Sequence, residues 1–157
     1  MTPDPQRVAM IIRDVAENII LPRFQKLASH EISVKNSGDL VTIADEEAEQ
    51  ALSLALRTLL PGSVIVGEEE AAERPNVLKA LSGNDPVWII DPVDGTKNFA
   101  NGEPCFAVIV ALVCDGNTVA GWIHEPIGNA TVWALIGKGA YEAGRRLQPD
   151  IPEQVRN

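Results

Sequence analysis

Asp91 and Asp94 leave an apolar run, Val87-Trp88-Ile89-Ile90, three residues apart from one another. Two carboxylates at the exit of a buried strand repel. At about 4 Å the cost is roughly 1 kcal/mol in water and roughly 4 kcal/mol at an effective dielectric near 20. A bound cation removes that cost, and hard divalent ions prefer carboxylate and carbonyl oxygens. Gly95 lets backbone approach a ligand closely, and Thr96 adds a hydroxyl. Pro92 lacks a backbone donor and is expected to end the strand ladder. The simpler reading is a turn, since Asp, Pro and Gly are ordinary turn residues. A second acidic segment, Gly67-Glu68-Glu69-Glu70, follows another apolar run, Val64-Ile65-Val66. Three acidic residues are usually a solvated loop. Two strand ends with carboxylates side by side would instead make a multi-metal pocket.

Two look-alikes fail. An EF-hand loop needs oxygen ligands at alternate positions and a later Glu, whereas Val93 stands at the third position here. Haloacid-dehalogenase-type phosphatases carry their aspartates two residues apart. Here they are three apart, so one side chain would point the wrong way on a regular strand.

The elements that must hold these residues are readable in outline. Asp4-Pro5 is an N-cap and first-turn pair. Val8, Ile11, Ile12, Val15, Ile19 and Ile20 then recur at helical spacing. Pro22 should end or kink this helix, and the apolar Phe24 and Leu27 beyond it favour a kink. Ile32 to Thr42 reads as polar and irregular, with a loop at Ser37-Gly38-Asp39. Lys35 reads as a solvated lysine. Thr42 precedes Asp45 by three residues, the spacing of a capping box. A second helix is expected over 46–60, stopped by Pro61-Gly62. Residues 71–85 read as loop with one weak helical turn near Val77–Leu81. After Pro104 the pattern turns to strands at 106–114, 118–125 and 130–136, joined by turns at Asp115-Gly116-Asn117 and Pro126-Ile127-Gly128-Asn129. Gly137 to Ala140 reads as a further turn, and Arg145-Arg146 with the tail to Asn157 as exposed. His124, Trp122 and Trp133 read as packing residues.

Composition narrows the function classes. A chain of 157 residues, 45% hydrophobic and 22% charged, can bury one real core. A net charge of −9 argues against nucleic acid as a partner, because that binding rests on Lys and Arg neutralising phosphates. It is compatible with a phosphorylated substrate if a metal supplies the positive charge. No apolar run reaches the roughly 18 residues of a membrane-spanning helix, and the N-terminus lacks a basic-then-apolar signal. Cys105 and Cys114 make neither a disulfide framework nor a spaced metal site, which fits free thiols in a cytoplasmic protein.

Trp88-Ile89-Ile90-Asp91-Pro92-Val93-Asp94-Gly95-Thr96-Lys97-Asn98-Phe99, with Pro104, resembles the first signature of the inositol monophosphatase family. Gly67-Glu68-Glu69, and Asp39-Leu40-Val41-Thr42 with Asp45, match two further motifs in the right order. This is the superfamily of lithium-sensitive, Mg2+-dependent phosphatases. The resemblance implies an α+β fold: two N-terminal helices on a mainly antiparallel sheet, the N-terminal part of a layered αβαβα sugar-phosphatase architecture. It implies Mg2+ held by Glu68, Asp91, Asp94 and the Val93 carbonyl. It gives Asp94, Gly95 and Thr96 to the substrate, and gives Thr96, Asp45 and Glu68 to catalysis. Asp45 would bond Thr96 and help orient an attacking water. The implied reaction is hydrolysis of inositol monophosphate or a related sugar or polyol phosphate. Histidinol phosphate, fructose 1,6-bisphosphate and phosphoadenosine phosphate are alternatives, as is a non-catalytic acidic module binding cations or a partner. Homodimers are common in the family. Its pattern continues into a second α/β portion with a Trp-Asp pair that supplies another metal ligand. Trp88, Trp122 and Trp133 are followed by Ile, Ile and Ala. Residues 1–157 therefore read as the N-terminal metal-binding domain alone, with weakened metal binding and little activity of their own.

Overall fold

The helical spacing of the N-terminus produces α1, Pro5–Val15, in a computed structural model that describes residues 2–35 and 37–148. The Asp4 side chain accepts from the Gln6 N–H at 2.9 Å and so supplies the cap that the Asp-Pro pair implied. The helix widens into a π turn, Ala16–Ile20, tightens into a 3-10 turn, Leu21–Arg23, and stops. The expected kink is thus a terminus. Phe24 leaves the helical region with ψ 126°, and Gln25 takes a left-handed φ of +59°. Phe24 keeps its apolar role from irregular backbone, packing on Phe99 and Phe106 at centroid distances of 5.7 and 5.1 Å.

The segment expected to be irregular contains a short antiparallel hairpin, β1 (Ile32–Val34) and β2 (Leu40–Thr42). Helix α2, Ile43–Leu59, follows at once. Seven further strands form one sheet in chain order: β3 (Val64–Gly67), β4 (Val87–Asp94), β5 (Ala107–Cys114), β6 (Asn117–Glu125), β7 (Ala130–Leu135), β8 (Gly139–Glu142) and β9 (Arg145–Arg146). Only β3 and β4 run parallel; every later pair is antiparallel. The meander is two strands longer than its apolar pattern announced. Gly139 opens β8 instead of closing a turn, and the exposed Arg145-Arg146 pair makes β9. The Asp115-Gly116 turn has φ +50° and +72°, the left-handed pair that matches the twist of a two-residue hairpin. Residues 149–157, expected as an exposed tail, lie outside the described residues.

One face of the sheet carries Trp88, Ile90, Val110, Leu112 and Trp122 into a core with Val8 and Ile12 of α1 and Leu52 and Leu56 of α2. Each of these side chains contributes roughly 1.5–3 kcal/mol on full burial. Trp122 keeps its polar end satisfied by donating Nε1–H to the Pro5 carbonyl at 3.0 Å. His124 is also buried, with Nδ1 2.9 Å from Thr131 Oγ1. On the other face, Val77 and Leu81 of a 3-10 segment, Pro75–Ser82, cover Val66, Val87 and Val113. Residues 71–85, expected as loop with one helical turn near Val77–Leu81, are therefore mostly helical, and the 3-10 segment includes that turn. No helix among the described residues is long and apolar enough to cross a membrane.

Candidate metal centre

Pro92 does not end its strand. The β4–β5 ladder pairs Asp91 with Ile109 and Asp94 with Ala107, so three steps on β4 face two on β5. This is a β-bulge, the place where a strand tolerates proline. It has a consequence for the two carboxylates. On a regular strand, residues three apart point to opposite faces. Ile109 and Ala107 share a face, so their partners Asp91 and Asp94 share one too. The bulge absorbs the odd residue, with Pro92 and Val93 buried inside it. Gly95 then takes φ +92°, and a Cβ there would stand 2.9 Å from the Cys105 carbonyl oxygen. Only glycine fits both the angle and the space. It launches the short helix α4, Thr96–Ala100.

Glu68 reaches the same place from β3. The parallel register pairs Gly67 with Ile90, so Glu68 and Asp91 each follow the last paired residues of β3 and β4. Glu68 to Glu70 are not a solvated loop; they are the first turn of α3, Glu68–Glu73. Acidic residues suit that position, where the helix end carries partial positive charge.

Asp45 combines the two roles open to it. Its Oδ2 accepts from the Thr42 N–H at 2.9 Å and from Thr42 Oγ1 at 2.5 Å, closing the capping box of α2. Its Oδ1 faces Thr96 Oγ1 at 3.0 Å. The same hydroxyl lies 2.9 Å from the Val93 carbonyl, so one proton serves either of two acceptors. Burial raises the Asp45 pKa, opposed by its hydrogen bonds from Thr42 and Thr96.

Asp91 is held less comfortably. Its pKa is pushed up to about 8, first by burial, then by the charge of Glu68 and a hydrogen bond to it, then by the charges of Asp94 and Asp45. Its Oδ1 is buried with no hydrogen-bond partner. Glu69 is pushed up to about 7, chiefly by burial, against the opposing pull of Lys35. Lys35 is not the solvated lysine that its sequence surroundings suggest. Its ammonium is inside the cluster, 2.7 Å from Glu68 Oε1 and 2.9 Å from Glu69 Oε1, with its side chain 10% exposed. Burial lowers its pKa, but the hydrogen bonds and charges of Glu68 and Glu69 outweigh this and raise it above the ordinary value. The hairpin decides this placement: β1 ends at Val34, and Lys35 N–H donates to the Asp39 carbonyl at 2.7 Å.

The structure thus brings Asp45, Glu68, Asp91 and Thr96 together, with Asp94 and Gly95 at the solvent edge of the same strand end. Among the described residues, no three His, Cys, Asp or Glu side chains stand in a ready-made ligand cluster. The donor set nonetheless fits a hard cation. It consists of carboxylates and one backbone carbonyl, and includes an orphaned buried oxygen. Mg2+ in particular takes one or two carboxylates and keeps several waters.

Glu49 is a site residue that sequence reasoning missed. It lies one helical turn after Asp45, in phase with the buried Leu52 and Leu56, and that phase was the available signal. It is 8% exposed, and its oxygens accept from the Glu69 and Glu70 N–H groups at 2.7 and 3.0 Å. Burial raises its pKa against these bonds.

Comparison with known proteins identifies the family. The model of the inositol monophosphatase family matches residues 6–156. A protein of Aquifex aeolicus named fructose-1,6-bisphosphatase/inositol-1-monophosphatase is 32% identical over 150 residues, covering 96% of this chain and 54% of that protein. The Nus factor SuhB of Pasteurella multocida is 33% identical over 135 residues, covering 85% and 48%. Among solved structures, the Thermotoga maritima IMPase superposes with a TM-score of 0.78 at 30% identity, over 92% of this chain and 52% of that one. The chain spans about half the length of the curated relatives it matches. With its three motifs gathered at one sheet end and a family match over nearly all of its length, this chain belongs to the inositol monophosphatase family.

Proposed function

We propose that this chain is the N-terminal, metal-binding portion of a Mg2+-dependent phosphatase that hydrolyses a small phosphate monoester. Inositol monophosphate or a related sugar or polyol phosphate is the substrate class. The observation that carries the reading is the buried, unpartnered Oδ1 of Asp91 among other acidic groups. An orphaned carboxylate oxygen is costly unless a ligand satisfies it.

Glu68, Asp91, Asp94 and the Val93 carbonyl would hold the ion. When bound, Mg2+ would supply the positive charge that draws in phosphate and lowers the pKa of a nucleophilic water. Asp45 fixes Thr96, whose hydroxyl orients that water without acting as a strong base. Gly95 turns the chain so that the backbone at the start of α4 is offered to the phosphate. Net charge of −9 favours a small phosphate brought by metal over a nucleic acid. A homodimer in the cytoplasm is part of the same reading.

The test is titration of the metal-free chain with Mg2+, followed by phosphate release from inositol monophosphate with and without Li+. The release assay is run on the chain alone and joined to the second portion of a relative. Binding by the chain, and Li+-sensitive release only after joining, are expected. No binding at millimolar Mg2+, and no release after joining, would reject the proposal. A second reading, a non-catalytic partner-binding module, draws on the similarity to a protein named Nus factor SuhB. Metal binding without turnover after joining would favour it.

A further inference from the structure

We infer that Glu49 is a positioning residue for Glu68, and that Gly67 is glycine in order to admit the Glu49 carboxylate. The inference rests on the metal-centre reading above and on two independent features of the geometry.

The first is the capping of α3. A helix normally takes its N-terminal cap from the side chain just before it. Here that residue is Gly67, which has none. The acceptor arrives from α2 instead: Glu49 Oε2 takes the Glu69 N–H at 2.7 Å and Oε1 takes the Glu70 N–H at 3.0 Å. Both oxygens are engaged, so Glu49 is not itself free to ligate an ion.

The second is the backbone of Gly67. Its φ is −89° and its ψ 155°, ordinary extended values for any residue. Conformation therefore does not demand glycine. Space does: a Cβ at this position would overlap the Cδ and both carboxyl oxygens of Glu49. Glu68 sits between these two fixed points. On one side the β3–β4 ladder holds Gly67 against Ile90; on the other the Glu49 carboxylate holds the next two amides. The backbone of Glu68 is thereby held beside Asp91 unless one of them gives. Partners that orient metal ligands in this way typically change metal affinity by about 10–100-fold when removed.

The experiment compares the wild-type chain with Glu49→Gln and Glu49→Ala. It measures Mg2+ affinity by calorimetry well below each melting temperature, and amide exchange at Glu69 and Glu70. Melting of Gly67→Ala is recorded in the wild-type and Glu49→Ala backgrounds. Glu49→Ala is expected to weaken Mg2+ binding by about tenfold or more and to speed exchange at both amides. Glu49→Gln, which keeps one acceptor oxygen, should weaken it by less. Gly67→Ala should lower the melting temperature strongly in the wild-type background and only slightly in the Glu49→Ala background. Unchanged Mg2+ affinity in a folded Glu49→Ala protein would make Glu49 merely structural and overturn the inference. If that variant does not fold, unchanged affinity in Glu49→Gln does the same. An equal penalty for Gly67→Ala in both backgrounds would overturn the role given to Gly67. Failure of the wild-type chain to bind Mg2+ would overturn the metal centre itself, and with it the role of Glu49 toward Glu68. The melting cycle would still report the fit between Glu49 and Gly67.

Discussion

Two sets of buried carboxylates lie within the same sheet end, and they are treated in opposite ways. Asp45 and Glu49, both from α2, have every oxygen engaged by an N–H or hydroxyl donor. Asp91 leaves one buried oxygen without a donor, and Glu69 Oε1 has only the Lys35 ammonium at 2.9 Å. Burial raises the pKa of all four. The difference lies in what opposes burial: donors for the α2 pair, and a lysine or nothing for the strand-end pair. A satisfied buried carboxylate stiffens its surroundings, whereas an unsatisfied one stores a demand for a cation. On the proposed function, the α2 pair frames the site and Asp91 meets the ion.

This contrast can be broken in three ways. The largest effect is expected from Asp91→Asn. Mg2+ affinity should fall by more than the roughly 100-fold upper range seen for losing a ligand's hydrogen-bonded partner. Above about pH 8, where Asp91 is ionised, the metal-free chain should melt no lower than wild type, because a repulsive charge has gone. Calorimetric titration and melting in EDTA check both halves; a lower metal-free melting point would place Asp91 with the frame.

Asp45→Ala should do the reverse. It strips the acceptor from the Thr42 N–H, Thr42 Oγ1 and Thr96 Oγ1. A destabilisation of about 2 kcal/mol, or roughly 4–8 °C in melting temperature for a chain of this size, is expected with or without metal. Equal melting curves would mean that the three bonds carry no net stability.

The third test is a pH dependence. Asp91 and Glu69 titrate near 8 and 7 in the folded chain, against 3.8 and 4.5 ordinarily. Through these two groups the folded state binds more protons than the unfolded state between those limits. Their contribution to stability therefore falls as pH rises through that window, opposed by His124, whose pKa burial lowers. Thermal melts of the metal-free chain from about pH 4.5 to about 8.5 should show the decline. Mg2+ should flatten it, and should release protons on binding near pH 7. A metal-free melting point that rises over the same range would contradict the assigned shifts.

Much of the site was legible because motif chemistry is local. The strand-Asp-Pro-x-Asp-Gly-Thr run, the Gly-Glu-Glu run and the Thr-x-x-Asp capping box each announce their residue types over a short stretch of chain. Lys35 was not legible. Whether a lysine is solvated or drawn into a cluster depends on where a hairpin turns, and residues 32–42 carry no strong strand pattern. Glu49 was not legible either: a single carboxylate on an apolar helix face shows a conflict without naming its partner. The strands β8 and β9 were missed because Gly and Arg do not announce a sheet edge, and pairing with β7 overrides propensity.

The sequence by itself determined which groups are present: hard oxygen donors behind two apolar runs, a capping Asp, and a glycine that alone can turn the chain at position 95. Only the tertiary structure decided how they face. Three-residue spacing would have sent Asp91 and Asp94 to opposite sides of a straight strand, and the bulge around Pro92 and Val93 puts them on one. The parallel register of β3 on β4 then sets Glu68 beside Asp91. Both are properties of pairing between strands, where one residue of slip reverses every side chain, and neither partner sequence contains that information alone.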